Sequence, residues 1–250
     1  MTLDIKNLVV NGCSYMEAYA NGNGQGDLAT QLGIPNSESI AIGGSANSRI
    51  LRTTLKHSYQ ATEPTLYVLG LTFINRNELP IIGMDPVEEQ TSFEGRWCNP
   101  QNQEFSNRYD HFWNKSESER YVRQKLMVEA YSLIDRTEDL MYRILAVIAD
   151  LKSRGHQALV YQQADNIYQR YLSSPRLQPF SNSKNIINGF DWCAVIYQHN
   201  QGVAKSQPSN ANYIGPQTVP EHIKHPAPGQ HQILNNYLIN YINDNNLLNK

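Results

Sequence analysis

Residues 65–71 read Thr-Leu-Tyr-Val-Leu-Gly-Leu (TLYVLGL). The run is apolar at consecutive positions, so both faces of the strand it predicts ask for cover, the mark of a strand inside a parallel sheet. Upstream, Leu8-Val9-Val10 is a shorter apolar run that stops at Asn11-Gly12 and predicts a buried strand entering a tight turn. Ser39-Ile40-Ala41-Ile42, closed by Gly43-Gly44, reads as a second strand. Asp27 is placed to cap a short helix through Leu32, stopped by Gly33 and Pro35. Ser45 or Asn47 caps a further helix, with Ile50, Leu51, Thr54, Leu55 and Tyr59 on one face. Strand, helix, strand, helix, strand is the alternation of a doubly wound parallel sheet.

Downstream, residues 80–116 break the pattern with prolines, glycines and aromatics, Trp97 and Trp113 among them. A loop of that length in a compact domain is usually functional. We read it as an insertion packed by its aromatics over the sheet edge. From about Ser118 to Ser153 the period turns helical, with Leu133, Thr137, Leu140, Met141, Ile144, Leu145, Ile148 and Leu151 on one face and Gly155 as the stop. Gln157–Tyr161 is a fourth strand and Cys193–Tyr197 a fifth, the latter inside a Pro-, Ser- and Asn-rich stretch at 165–220. After His225-Pro226, Ile233, Tyr237, Leu238 and Tyr241 mark a terminal amphipathic helix. The expected fold is one three-layer α/β/α domain over residues 1–250, flavodoxin-like, with about five parallel strands and a long insertion at about 80–116.

The 250 residues carry 21 Lys plus Arg against 23 Asp plus Glu, a formal charge of -2. That gives no basic field for nucleic acid, which is not expected as a partner. Cys13, Cys98 and Cys193 are too far apart for a thiolate metal site or a disulfide framework. The N-terminus, MTLDIKNLVV, has no signal-peptide pattern, and no apolar run approaches the roughly 20 residues of a membrane span. The expectation is a soluble protein made in the cytoplasm, with no membrane partner.

Chemistry-bearing residues fall after the strands, where an open parallel sheet places its site. Ser14 follows the first strand behind the small Gly12. Gly43 and Gly44 follow the second, where backbone N–H groups beside a helix start can hold an oxyanion. Thr72, Asn75 and Arg76 follow the third. His225-Pro226 precedes the last helix. A serine and a histidine together make a nucleophile and its general base.

These blocks resemble the SGNH, or GDSL-type, hydrolases. VVNGCSY matches the family's first block, with Cys13 where the acid of Gly-Asp-Ser stands and Ser14 in the nucleophile position. Gly43 or Gly44 matches the second block, and His225-Pro226 the last. AIGGSANSRILRTTL, Arg76 with Glu78, and HPAPGQH look closest to SGNH-like proteins of tailed phages of marine and cyanobacterial hosts. The resemblance covers residues 5–78 and 221–242. It implies an ester hydrolase that removes acyl groups from a carbohydrate. Ser14 would attack, His225 would be the base, and the Ser14 and Gly44 N–H groups, with Asn47, would form the oxyanion hole. Thr72, Asn75 and Arg76 would contact a small-molecule or glycan ester, with no cofactor and no metal.

Two positions depart from the pattern. Thr72 stands where the family's Gly-x-Asn-Asp has its oxyanion Asn; Asn47 or Asn75 could substitute. His222 stands where the acid usually precedes the histidine, so Glu221 or a backbone carbonyl must orient His225. A non-catalytic alternative therefore stands beside the esterase: an SGNH-fold glycan-binding module or phage virion component, alone or as a homo-oligomer. A metal site from Glu221, His222, His225 and His231 is disfavoured, because Pro226 breaks the helix that would align them. Arg49, Arg52 and Arg76 read as ion-pair partners before anion binders. Trp97 and Trp113 read as packing residues before sugar platforms, and Cys13 as a small buried hydrophobe.

Overall fold

The computed structural model describes residues 4–43, 45–72, 77–78, 97–98, 133–163, 174–187 and 228–248. In chain order they form β1 (Asn7–Gly12), α1 (Ser14–Asn21), α2 (Gly24–Leu32), β2 (Asn36–Ser39), α3 (Asn47–Gln60), β3 (Thr65–Leu71), β4 (Asn77–Glu78) and β5 (Trp97–Cys98). Then come α4 (Leu133–Ser153), β6 (Gln157–Gln162), α5 (Gln178–Ser181), β7 (Ile186–Ile187) and α6 (Pro228–Asp244). The main sheet has five strands in the order β2-β1-β3-β6-β7, each pair parallel. Numbered by their own order in the chain, these strands run 2-1-3-4-5. That is the flavodoxin-like arrangement, whose connections reverse direction between the first and third strands. The protein is thus an α/β fold with a five-stranded parallel sheet.

Alternation along each strand builds two cores. Leu8, Val10, Leu66, Val68, Leu159, Tyr161 and Ile187 point to one face, under α1, α2 and α6. Val9, Tyr67, Leu69, Leu71, Ala158, Val160 and Ile186 point to the other, under α3, α4 and α5. All seven residues of β3 are buried, as a run without polar alternation requires.

The strand at 65–71 and the helix ending before Gly155 (φ +81°) lie where the sequence puts them. Other details differ. The second strand is β2, three residues earlier than expected and exposed throughout. Hydrogen bonds from Ile40 N to Val10 O and from Ile42 N to Gly12 O nevertheless carry the pairing on to the glycines. The N-cap of α2 is Asn23, in the left-handed region at φ 60°, and Asp27 sits in the first turn; the stop at Gly33 (φ 69°) is as expected. The N-cap of α3 is Ala46 without a side-chain cap, because Ser45 and Asn47 bond elsewhere. Tyr59 is 70% exposed rather than on the buried face; its ring lies under the Arg154 guanidinium at 3.9 Å. A further strand, Ile186–Ile187, was hidden in the polar stretch. The strand read at 193–197, the 118–132 part of the helix read from about Ser118 to Ser153, and nearly all of 80–116 lie outside the described residues. Of the insertion, the antiparallel pairing of Trp97 with Glu78 and of Cys98 with Asn77 is described. Among the described residues no helix is long and apolar enough to cross a membrane.

Candidate active site

The carboxyl ends of β1 and β3 meet side by side at the point where the connections reverse, with Gly12 opposite Gly70. Neither glycine leaves room for a side chain. A methyl group on Gly12 would lie 2.4 Å from Met16 Cγ and 2.9 Å from Gly70 O; one on Gly70 would lie 2.3 Å from Gln163 Oε1. The two strand ends therefore close tightly beneath Met16, and the chain turns straight into α1.

Cys13 is the extended N-cap of α1 (φ -91°, ψ -161°) and is fully buried in the core, as its reading as a small hydrophobe requires. Ser14 is the first residue of the helix and is half-buried. The first helical hydrogen bond runs from Glu17 N to Cys13 O, so the Ser14 N–H precedes the ladder and belongs to the positive end of the helix.

The loop after β2 closes over this turn. A methyl group on Gly43 would lie 3.6 Å from Ser14 Cβ and 2.7 Å from Glu17 Oε2. The structure thus brings together Ser14 and Gly43, 29 positions apart by number. The loop is held by Ser45, whose Oγ donates to Ile42 O at 2.6 Å and accepts from Arg49 Nη1 at 3.0 Å.

Two buried asparagines fix α3 to the strand ends. Asn11 Nδ2 lies 2.9 Å from Ile50 O and from the hydroxyls of Thr53 and Thr54, while its Oδ1 accepts from Gly12 N at 2.8 Å. Asn47 accepts from Thr72 N at 2.8 Å and donates to Thr72 O at 3.1 Å. Thr72 is fully buried at that joint. Asn11 was legible in the sequence only as the polar stop of an apolar run; a polar residue in a strand otherwise buried on both faces is the signal that it pairs.

Gly44, Asn75, Arg76, Glu221 and His225 lie outside the described residues. His231, one of the histidines of the disfavoured metal site, lies within α6. It is buried inside the helix, with its ring 5.2 Å from that of Tyr19 and packed on Gly22, at the far end of α1 from Ser14.

Fold and site together define a doubly wound α/β protein that presents a half-buried serine at the point where the sheet's connections reverse, under a glycine loop. No family model matches the chain, and no curated protein matches it. Among solved structures the chain is similar to the crystal structure of TesA, at 12% identity, over 96% of this chain and 99% of that one, with a TM-score of 0.41. Strand order and register define the fold.

Proposed function

We propose that this chain is a serine ester hydrolase of SGNH type that removes acyl groups from a carbohydrate. The observation that carries the reading is Ser14 at the tip of β1, first in α1, with Gly43 against it. In this mechanism Ser14 Oγ attacks the acyl carbonyl carbon while His225 takes its proton. The tetrahedral oxyanion is held by the N–H groups of Ser14 and Gly44; Asn47, expected to help, is buried with its amide on the Thr72 backbone. Collapse expels the sugar alkoxide, which takes the proton back from His225. Water activated by the same imidazole then frees the acid and restores Ser14. Glu221 or a backbone carbonyl orients His225, and Asn75 and Arg76 border the substrate, whereas Thr72, expected beside them, is fully buried against Asn47.

The purified protein should hydrolyse p-nitrophenyl acetate and release acetate from an acetylated glycan. Ser14→Ala should abolish both with little change in melting temperature, since the hydroxyl is not a packing element. Equal activity in the two proteins would show that Ser14 is not the nucleophile.

One observation favours a second, non-catalytic reading, as a glycan-binding or virion component. Thr72 stands where the family has its oxyanion asparagine, and it is buried with both backbone groups held by Asn47. Glycan binding with no hydrolysis by the wild type would favour that reading.

A further inference from the structure

Helix α1 has two sides. Tyr15, Met16 and Tyr19 are buried in the core, whereas Ser14, Glu17 and Ala18 are partly open. Residues three apart on a helix are neighbours, so the Glu17 carboxylate stands one turn from the Ser14 hydroxyl on the same side. Both border one point, the α-carbon of Gly43, where an added methyl group would touch Glu17 Oε2 and Ser14 Cβ. The carboxylate is therefore turned toward the glycine loop and the serine. The first turn of a helix is a favourable place for an acidic side chain, because its negative charge faces the positive end of the helix. Among the described residues no Lys or Arg forms an ion pair with Glu17.

We propose that Glu17 is a specificity-determining residue that sets the charge class of the acyl group: neutral acyl groups are accepted beside Ser14, and carboxylate-bearing ones are repelled. The inference rests on the reading of Ser14 as nucleophile and extends it to the substrate. Like charges about 6 Å apart at a half-wet rim, with an effective dielectric between those of protein surface and water, discriminate on the order of tenfold in rate.

The test compares kcat/KM for two p-nitrophenyl esters of similar size, the neutral butyrate and the anionic hemisuccinate. The oxyanion formed during attack is common to both, so the ratio isolates the charge already on the acyl group. In the wild type the ratio should favour butyrate and should shrink as salt is raised to about 1 M, where screening acts within roughly 3 Å. Glu17→Gln should lower the butyrate-to-hemisuccinate ratio about tenfold, and Glu17→Lys should lower it further. An unchanged ratio in both folded variants overturns the inference and leaves the hydrolase reading intact. A wild type that hydrolyses neither ester overturns both.

Discussion

Asn11 shows how much a single side chain settles at this rim. It is fully buried in a strand whose neighbours are apolar. Its amide joins the turn before Ser14 to α3 on one face of the sheet. Asn11→Leu keeps the number and branching of the side-chain heavy atoms but strips partners from Gly12 N and from the α3 carbonyl and hydroxyls. Buried groups left without partners cost about 1–3 kcal/mol. Urea unfolding of the variant should show a loss in that range, and a loss below about 0.5 kcal/mol would mean that water or relaxation replaces the amide. The sequence made Ser14 legible, because a hydroxyl after an apolar strand and a small residue is a recognisable pattern. It left Asn11 and Asn47 ambiguous. An asparagine at a strand end or helix start suits a turn or a cap equally well, and only the tertiary partner decides. Asn47 illustrates this: its side chain left the cap role to take both backbone groups of Thr72.

At the scale of elements, the approach of β1 to β3 under Met16 depends on two facing glycines. Gly12→Ala would set its methyl group 2.9 Å from Gly70 O, a backbone atom that has little freedom to yield, and 2.4 Å from Met16 Cγ. Overpacking of this kind costs typically 1–3 kcal/mol. Met16→Ala in the same chain should recover part of that loss, but not the share due to the carbonyl; full recovery in a double-mutant denaturation series would contradict the geometry. Around the opposite end of β3, polar groups tie α3 to β2 and β3. Burial pushes the Tyr67 phenol up to about 12, so its O–H remains and can donate to His57 Nδ1 at 2.9 Å, while His57 Nε2 faces Glu38 at 2.9 Å. His156, before β6, accepts from Thr65 N through Nδ1 at 3.2 Å and meets the Tyr67 ring edge-on. Burial, then the nearby Arg154 charge, holds the His156 imidazole below its ordinary value of 6.5; His57 pushes the same way, and the Ser58 backbone and Asp150 oppose. The unfolded chain therefore binds more protons on this residue than the folded one in that range. Its contribution to stability is present above about pH 6.5 and lost as pH falls toward the lowered folded-state value. His156→Asn retains an acceptor near Nδ1 but does not titrate. The melting temperature of the wild type should fall between pH 7 and 5 more steeply than that of the variant; parallel curves would show that other groups carry the dependence.

Across the whole molecule, layer order was legible because β3 and β6 are continuous apolar runs and α4 keeps a helical period over 21 residues. Ile186–Ile187 was not, because a two-residue strand at the sheet edge offers no period to read. How the C-terminal helix docks was legible only in part: of the residues that marked the helix, Leu238 is buried, with Leu234 and Ile242 beside it, while Ile233, Tyr237 and Tyr241 are partly buried. Its placement against the start of the chain is fixed by a polar joint. The Tyr19 hydroxyl lies 2.7 Å from Gly24 O and 2.5 Å from Asn235 Oδ1, and Asn235 Nδ2 lies 3.2 Å from Gly24 O. Tyr19 and Asn235 are fully buried, and burial pushes the Tyr19 phenol well above its ordinary range, so the hydroxyl holds its proton for the two acceptors. Residues sharing one hydrogen-bond network couple by about 0.5–3 kcal/mol. Tyr19→Phe and Asn235→Leu should each destabilise the protein, since each leaves the other's polar group buried without that partner. The double variant should lose less than the sum of the two, by an amount in the coupling range. Denaturant unfolding of the four proteins measures it directly. Additivity within about 0.3 kcal/mol would mean that α6 is held by Leu234, Leu238 and Ile242 alone, and that the joint between the two ends of the chain contributes no specificity to its docking.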